Sequence, residues 1–201
     1  MDAQRFKDLF TEELITSGCF QTGSFTLKSG LVSPFYIDLR RLISLPDLLS
    51  LSASAYESLA VDLEFQHLAG IPVAGLPLAT AAAIEMSVPM VFPRMTVKAH
   101  GTGKLVEGIY EQGDRVLLLD DLITTGGSKL EAAERLRQAG LVVEDLVVLI
   151  ERGTSGRKEV EAAGMRLHSF VHVDELIERA ISVQDLDEAT AGRLRAFVKD
   201  A

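Results

Sequence analysis

One segment near the middle of the chain, residues 115–136, constrains the fold more than any other. Its sequence is RVLLLDDLITTGGSKLEAAERL, in which four apolar residues at 116–119 are followed at once by Asp120 and Asp121. A short, continuously apolar run is typical of a strand buried on both faces, as in a parallel sheet. A Gly- and Thr-rich turn and then a helical pattern follow. The segment therefore predicts a strand, a turn and a helix, with two carboxylates where open α/β sheets bind ligands.

The rest of the chain alternates between strand and helix. Apolar spacing predicts strands at 65–71, 88–92, 115–120, 141–151 and 165–173, and helices at 46–61, 76–86, 128–139 and 157–163. We also expect an N-terminal helix ending at Gly18, a hairpin over 23–39 and mostly helix after 173. This order indicates an α/β fold, with a parallel sheet flanked by helices on both faces. We predict one domain over 1–201, with an N-terminal cap at about 1–45, a core at about 46–181 and C-terminal helices to 201.

Composition excludes several classes of protein. The chain of 201 residues has one cysteine, Cys19, which cannot form an intrachain disulfide and fits a reducing compartment. Neither a secretory signal nor an apolar run long enough to span a membrane is visible, so a cytoplasmic protein without membrane contact is expected. The net charge of −9 disfavours nucleic-acid binding. The segment 94–106 nevertheless carries a local basic cluster, which is either a solvated loop or an anion site: Arg94, Lys98, His100 and Lys104.

The turn at 124–128 has the chemistry of a phosphate site. It precedes a helix, whose first N–H groups attract anions, and its glycines allow close approach of the backbone. Two acids beside a phosphate repel it unless they serve hydroxyl groups or a cation. A ribose 5-phosphate with Mg²⁺ nearby satisfies both halves, with its diol on Asp120 and Asp121. The alternative is an ordinary helix-capping turn with two exposed acids. The sequence has no Walker motif.

The run VLLLDDLITTGGS at 116–128 resembles the phosphoribosyl diphosphate (PRPP) motif of type I phosphoribosyltransferases. Six further segments resemble the orotate branch of that family: FTLKSG at 25–30, SPFYIDL at 33–39, GIPVAGLPLAT at 70–80, PRMTVKAHGTGKLVEG at 93–108, LIERG at 149–153 and GMRLHS at 164–169. The resemblance implies a type I fold with a small N-terminal hood. It also implies Mg²⁺-dependent transfer of phosphoribosyl from PRPP to orotate, giving orotidine 5′-monophosphate in UMP biosynthesis. A homodimer in which the 94–108 loop acts in trans is implied as well.

The resemblance assigns roles residue by residue. Catalytic roles fall on Lys98, His100, Asp120 and Asp121. Contacts to PRPP fall on Lys28, Val73, Ala74, Arg94, Lys98, His100, Asp120, Asp121, Leu122, Ile123, Thr124, Thr125, Gly126, Gly127 and Ser128. Contacts to orotate fall on Lys28, Tyr36, Ile37, Thr124 and Arg152. No side chain is expected to bind the metal directly, since Mg²⁺ is held mainly through PRPP.

Other interpretations remain for some of these residues. Tyr36 and Ile37 also fit ordinary hairpin core, and Arg152 fits a surface ion pair with Glu151 or Glu159.

Three positions depart from the family pattern. Orotate enzymes commonly have lysine at the positions of Ala74 and Met95, and an acid at the position of Ala99. Losing two cations from the diphosphate site leaves three functions open. The first is an orotate enzyme with a thinned diphosphate site, the second a transferase for another base, and the third a non-catalytic regulator that binds PRPP or a nucleotide.

Overall fold

The computed structural model describes residues 2–27, 30–95 and 104–199, excluding the side chain of Lys199. Its main feature is a six-stranded sheet. The strands are β3 (His67–Gly70), β4 (Met90–Pro93), β5 (Val106–Glu107), β6 (Arg115–Ile123), β7 (Val142–Glu151) and β8 (Arg166–His172). Their order in the sheet is β5-β4-β3-β6-β7-β8, and all neighbours are parallel except β4 and β5.

Helices cover both faces of this sheet. They are α1 (Ala3–Thr16), α2 (Pro46–Ala60), α3 (Gly75–Met86), α4 (Gly127–Gln138), α5 (Ser155–Ala162), α6 (Val173–Val183) and α7 (Glu188–Lys199). Local sequence sets several of their ends. Asp2 caps α1 by accepting a hydrogen bond from the Arg5 amide at 2.9 Å. After α4 the chain turns at Gly140, whose φ of 89° lies in the left-handed region that favours glycine.

The central strand β6 is buried on both faces, as its apolar run predicts. Leu117 and Leu119 belong to one hydrophobic cluster with side chains of α1, α2, α3 and α6. Val116 and Leu118 belong to a second cluster with side chains of α4 and α5. The predicted α/β class, a parallel sheet with helices on both faces, is confirmed.

The N-terminal hairpin forms a sheet of its own. Strands β1 (Phe20–Thr26) and β2 (Val32–Ile37) are antiparallel and make up this two-stranded sheet. Phe20 and Phe35 stack with ring centroids 5.6 Å apart, and both rings belong to the same cluster as Leu117. The hairpin is therefore separate in its hydrogen bonding but continuous with the main core.

Two local predictions are corrected, and one element was not predicted. Strand β6 continues through Ile123, three residues beyond its predicted end, because Leu122 and Ile123 still pair with β7. The basic segment 94–106 is expected to be a loop, yet its last residue, Val106, belongs to β5, which pairs with β4. A 3₁₀ helix at Leu39–Ser44, which no pattern indicated, follows the hairpin. None of the helices within the described ranges is long and apolar enough to cross a membrane.

Candidate functional site

Two adjacent acids near the end of β6 form the centre of the site. The Asp120 side chain is only 7% exposed, and its Oδ2 lies 2.7 Å from Nζ of Lys129, which is 8% exposed. Lys129 belongs to the first turn of α4, so this ion pair joins the strand to the helix that follows it. The alternative of two exposed acids is therefore wrong for Asp120, which is buried and paired.

Asp121 is more open than its neighbour. Its side chain is half-buried, and Oδ1 accepts a hydrogen bond from the Leu122 amide at 2.7 Å. Burial, and then the adjacent charge of Asp120, raise the pKa of Asp121 to about 6. The two acids thus differ in environment: Asp120 is held by a buried cation, and Asp121 retains a proton more readily than an ordinary aspartate does.

Two further residues, Tyr56 and Gly75, pack against β6 near Asp120. The Tyr56 hydroxyl, on α2, is fully buried and donates a hydrogen bond of 2.9 Å to the main-chain carbonyl of Asp120. Gly75 begins α3 and lies against the same strand. A Cβ atom at Gly75 would lie 2.9 Å from the Leu119 carbonyl oxygen and 3.0 Å from Oδ1 of Asp120. Only glycine therefore fits at this position without displacing one of these oxygens.

The predicted phosphate turn lies at the N-terminus of α4. Thr124, Thr125 and Ser128 are exposed residues at the carboxyl edge of the sheet, and the Ser128 hydroxyl accepts a hydrogen bond of 3.4 Å from Nζ of Lys129. Gly126 differs, because its amide donates a hydrogen bond of 2.8 Å to Oε2 of Glu159 on α5. That amide is already satisfied by the protein, while the exposed part of the turn remains open to an anion.

The loop between β3 and α3 lies beside this strand end. The peptide bond between Pro72 and Val73 is cis, and Val73 is 83% exposed. Ala74 is half-buried at the N-cap position of α3. This loop faces the site with backbone and small apolar side chains, without a cation from Val73 or Ala74.

The structure describes only some of the basic residues that are assigned to the site. Arg94 lies just after β4, where it forms an ion pair with Glu107 of β5. Its amide donates to the Leu105 carbonyl at 2.8 Å, which ties together the two ends of the basic segment. The other three basic residues assigned to PRPP lie outside the described residues, as does Ala99: Lys28, Lys98 and His100.

Arg152 occupies an aromatic setting. Its guanidinium carbon lies 4.9 Å from the ring centroid of Phe35 and 5.9 Å from that of Phe197, within the range of cation–π contacts. Burial lowers the pKa of Arg152. Its amide donates to the Ile123 carbonyl at 2.8 Å, so its backbone is fixed to the end of β6.

The alternative of a surface ion pair for Arg152 is wrong. Glu151 is bound by both Arg157 and Ser169, with distances of 2.6–2.7 Å. Glu159 accepts from Gly126 and also from the Ser155 hydroxyl. Within the parts of the chain that the structure describes, no carboxylate forms a salt bridge with the Arg152 guanidinium.

The two hairpin residues assigned to the base, Tyr36 and Ile37, differ in burial. Tyr36 is half-buried; its ring stacks on Phe25 at 5.6 Å, and its hydroxyl accepts a hydrogen bond from Arg40 at 3.1 Å. Ile37 is 8% exposed and belongs to the main hydrophobic cluster, which favours the core alternative for its side chain. Ile123 is likewise buried at 1%, so it offers a ligand only its backbone.

Sequence reasoning missed three residues around the site, Tyr56, Lys129 and Phe197, and it gave Glu159 a different partner from the Gly126 amide that the structure shows. One had a detectable signal. Lys129 falls on the buried stripe of α4 with Ala132, Ala133 and Leu136, at the spacing i, i+3, i+4 and i+7. A lysine on such a stripe implies a buried partner. The other two, and Glu159, meet the site through long-range contacts that no local pattern indicates.

A separate cavity of about 810 Å³ lies between the hairpin and α7. Phe197 lines it, but Asp120, Asp121 and the phosphate turn do not. The chemistry of the acids and the turn therefore belongs to the open carboxyl edge of the sheet rather than to this cavity.

Comparison with known proteins points to one family. The model of the phosphoribosyl transferase domain matches residues 46–181. The orotate phosphoribosyltransferase of Pyrococcus abyssi is 39% identical over 176 residues, which cover 87% of this chain and 97% of that protein.

Two longer relatives contain a matching part. The bifunctional enzyme PyrF/PyrE of a Nostoc species is 41% identical over 164 residues, covering 82% of this chain and 34% of that protein. The structure of UMP synthase from Leishmania donovani superposes with a TM-score of 0.87 at 36% identity, covering 97% of this chain and 42% of that one. The chain thus spans less than half the length of these relatives, but nearly all of the Pyrococcus protein.

Proposed function

Because the chain belongs to the phosphoribosyltransferase family, we propose that it transfers the 5-phosphoribosyl group of PRPP to orotate. The products are orotidine 5′-monophosphate and diphosphate, and the pathway is UMP biosynthesis. Support for the base comes from relatives named orotate phosphoribosyltransferase at 36–39% identity over most of this chain.

The observation that carries the proposal is the arrangement at the end of β6. A buried carboxylate, a half-buried carboxylate and a turn with exposed hydroxyl groups follow one another at the carboxyl edge of a parallel sheet. Such edges bind ligands, and the N-terminus of α4 favours an anion. A ribose 5-phosphate fits this order, with its diol on Asp120 and Asp121 and its phosphate on the turn at Thr124, Thr125 and Ser128.

Arg152 supports the choice of a nucleobase that carries a carboxylate group. Its guanidinium is half-buried over two aromatic rings, and burial alone perturbs its pKa. A buried cation gains from a carboxylate partner, and the planar guanidinium group suits two parallel hydrogen bonds to one. The carboxylate of orotate supplies such a partner. Tyr36 is proposed to line the same pocket from the hairpin.

Charge development determines what the site must do. As the C1–O bond of PRPP breaks, positive charge grows on the sugar and negative charge on the departing diphosphate. Groups placed where charge develops usually contribute most to catalysis. Lys98, His100 and Arg94 are proposed to meet the diphosphate. Arg94 must then exchange its ion pair with Glu107 for the ligand.

The protein residues fit a magnesium ion that arrives with PRPP. Mg²⁺ in proteins usually keeps several waters and binds one or two carboxylates together with substrate phosphates. Asp120 is already paired with Lys129, so Asp121 is the member of this pair that would contact the complex of Mg²⁺ with PRPP. Among the described residues no group of three or more His, Cys, Asp or Glu side chains could hold a metal alone. When bound, Mg²⁺ would neutralise charge on the diphosphate.

We further propose a cytoplasmic homodimer in which the 94–108 loop enters the neighbouring subunit's site. The resemblance of that loop to the family's catalytic loop supports the homodimer. The free, buried thiol of Cys19 supports the cytoplasmic location, which is a reducing compartment. Sedimentation at micromolar concentration tests the dimer. Mixing a Lys98→Ala chain with a chain inactivated at Asp121 tests action in trans, since regained activity requires sharing of the loop.

The first experiment follows the ultraviolet absorbance of orotate with purified protein, PRPP and Mg²⁺. We expect a steady loss that stops on chelation of Mg²⁺ and is absent in Lys98→Ala. A panel of purine and pyrimidine bases serves as the control for base choice. If PRPP raises the melting temperature while orotate persists and another base is consumed, the orotate assignment is wrong.

A further inference from the structure

A buried lysine that the proposed chemistry leaves without a role lies inside the site. Lys129 and Asp120 are 8% and 7% exposed, and their charged atoms are 2.7 Å apart. Lysine is almost never fully buried unless it is paired, because removing its charge from water is costly. Its burial beside a substrate-binding acid therefore suggests a role in holding that acid.

Lys129 connects the two halves of the site. Nζ lies 2.7 Å from Oδ2 of Asp120 and 3.4 Å from Oγ of Ser128, the last residue of the phosphate turn. On the opposite side, a Cβ added at Gly75 would lie 3.0 Å from Oδ1 of Asp120, so α3 leaves little room there. The carboxylate is thus paired on one side and closely packed on the other. An ionised carboxylate has about four acceptor positions, so capacity remains for ribose hydroxyls.

We propose that Lys129 is a positioning residue that fixes Asp120 for the ribose hydroxyls of PRPP and ties this acid to the phosphate turn. The proposal rests on the proposed function, because it takes PRPP as the ligand. It also gives the site one cation at a place the family resemblance does not assign, in a chain where Ala74 and Met95 replace two customary lysines.

The test compares Lys129→Met and Lys129→Arg with the wild-type protein. Affinity for Mg²⁺–PRPP is measured by calorimetry, alongside kcat and the KM for each substrate. Lys158→Met is the matched control, since Lys158 is exposed on α5. We expect Lys129→Met to weaken PRPP binding about 10–100-fold, by analogy with the loss caused by removing the hydrogen-bond partner of a metal-binding side chain. The KM for orotate should change little, and Lys129→Arg should recover part of the loss.

A purely structural role predicts a different result. In that case folded Lys129→Met would melt at lower temperature but bind PRPP as the wild type does, which overturns the proposal. If Lys129→Met does not fold, Asp120→Asn is compared with Asp120→Asn/Lys129→Met, in which both charges are absent. Equal PRPP affinities support action through Asp120, whereas a further loss in the double variant refutes it.

Failure of the proposed function is recognised separately. PRPP binding is measured without any base, so a wild-type protein that binds PRPP but leaves orotate intact overturns the transfer to orotate alone. The comparison of Lys129 variants still decides the positioning role in that case. A wild-type protein that does not bind PRPP overturns both.

Discussion

Replacing Gly75 by alanine tests whether the close approach of α3 to β6 sets the position of Asp120. The added Cβ would lie 2.9 Å from the Leu119 carbonyl oxygen and 3.0 Å from Oδ1 of Asp120. The Leu119 oxygen cannot easily retreat, because it accepts a hydrogen bond from the Ile71 amide at 3.0 Å. The start of α3 must therefore shift by a few tenths of an ångström, because moving the Asp120 side chain alone leaves the overlap with the Leu119 oxygen.

The expected cost follows from this overlap. Overpacking in a well-packed interior costs about 1–3 kcal/mol, of which a small part is offset by the better helix propensity of alanine at Gly75. For a chain of this size each 1 kcal/mol lowers Tm by roughly 2–4 °C. A misplacement of about 1 Å costs roughly 100-fold in rate, so a shift of a few tenths predicts about a tenfold loss in kcat/KM for PRPP.

Thermal unfolding and initial rates at varied PRPP measure the two effects of Gly75→Ala. The matched control is Gly192→Ala on α7, where, apart from its chain neighbours and the backbone of its own helix, no described atom lies within 4 Å of the added Cβ. This control should keep its activity and gain up to about 1 kcal/mol from helix propensity. If Gly75→Ala matches the wild type in both Tm and kcat/KM, the close approach of α3 does not set the position of Asp120.

Three further predictions concern the same region. Tyr56→Phe leaves the Asp120 carbonyl without its buried donor, and chemical denaturation should show a loss of about 1–3 kcal/mol with an unchanged m-value. The pKa of Asp121 is raised to about 6, so its ionisation opposes folding: stability present below about pH 4 is lost as pH rises through about 6. Asp121→Asn should therefore gain stability relative to the wild type by up to about 3 kcal/mol at pH 7 and little at pH 4, and an equal difference at both values would contradict this. Arg152→Met should raise the KM for orotate about 10–100-fold while PRPP affinity measured without base stays within about twofold, and equal losses for both substrates would refute the assignment of Arg152 to the base.

The sequence was informative where structure depends on local pattern. The apolar run at 116–119 predicted the central strand, and the glycines and hydroxyl residues after it predicted the turn before α4. The end of β6 could not be predicted in the same way. Asp120 and Asp121 interrupt the apolar run, yet the strand continues because Leu122 and Ile123 pair with β7. That pairing depends on a neighbour about 30 residues away.

The details of the site depended on long-range contacts as well. Arg152 follows a predictable strand, but its aromatic partners come from β2 and α7, at opposite ends of the sequence. Asp120 is buried because Lys129 returns toward the strand from α4. A pattern of residue types identifies the carboxylate, but only packing determines whether it faces water, a cation or a ligand.

The shared hydrophobic cluster of the hairpin and the sheet affects how the molecule unfolds. Phe20 and Phe35 lie in the same cluster as Leu117, and Phe35 also meets Phe197 edge-on at 5.7 Å. Neither end of the chain can therefore detach without exposing aromatic surface that water disfavours. A fragment limited to residues 46–181 would lack both the hairpin and α7, and the apolar surface exposed by their loss would favour aggregation. The cooperative folding unit thus extends beyond the segment that carries the phosphoribosyltransferase signature.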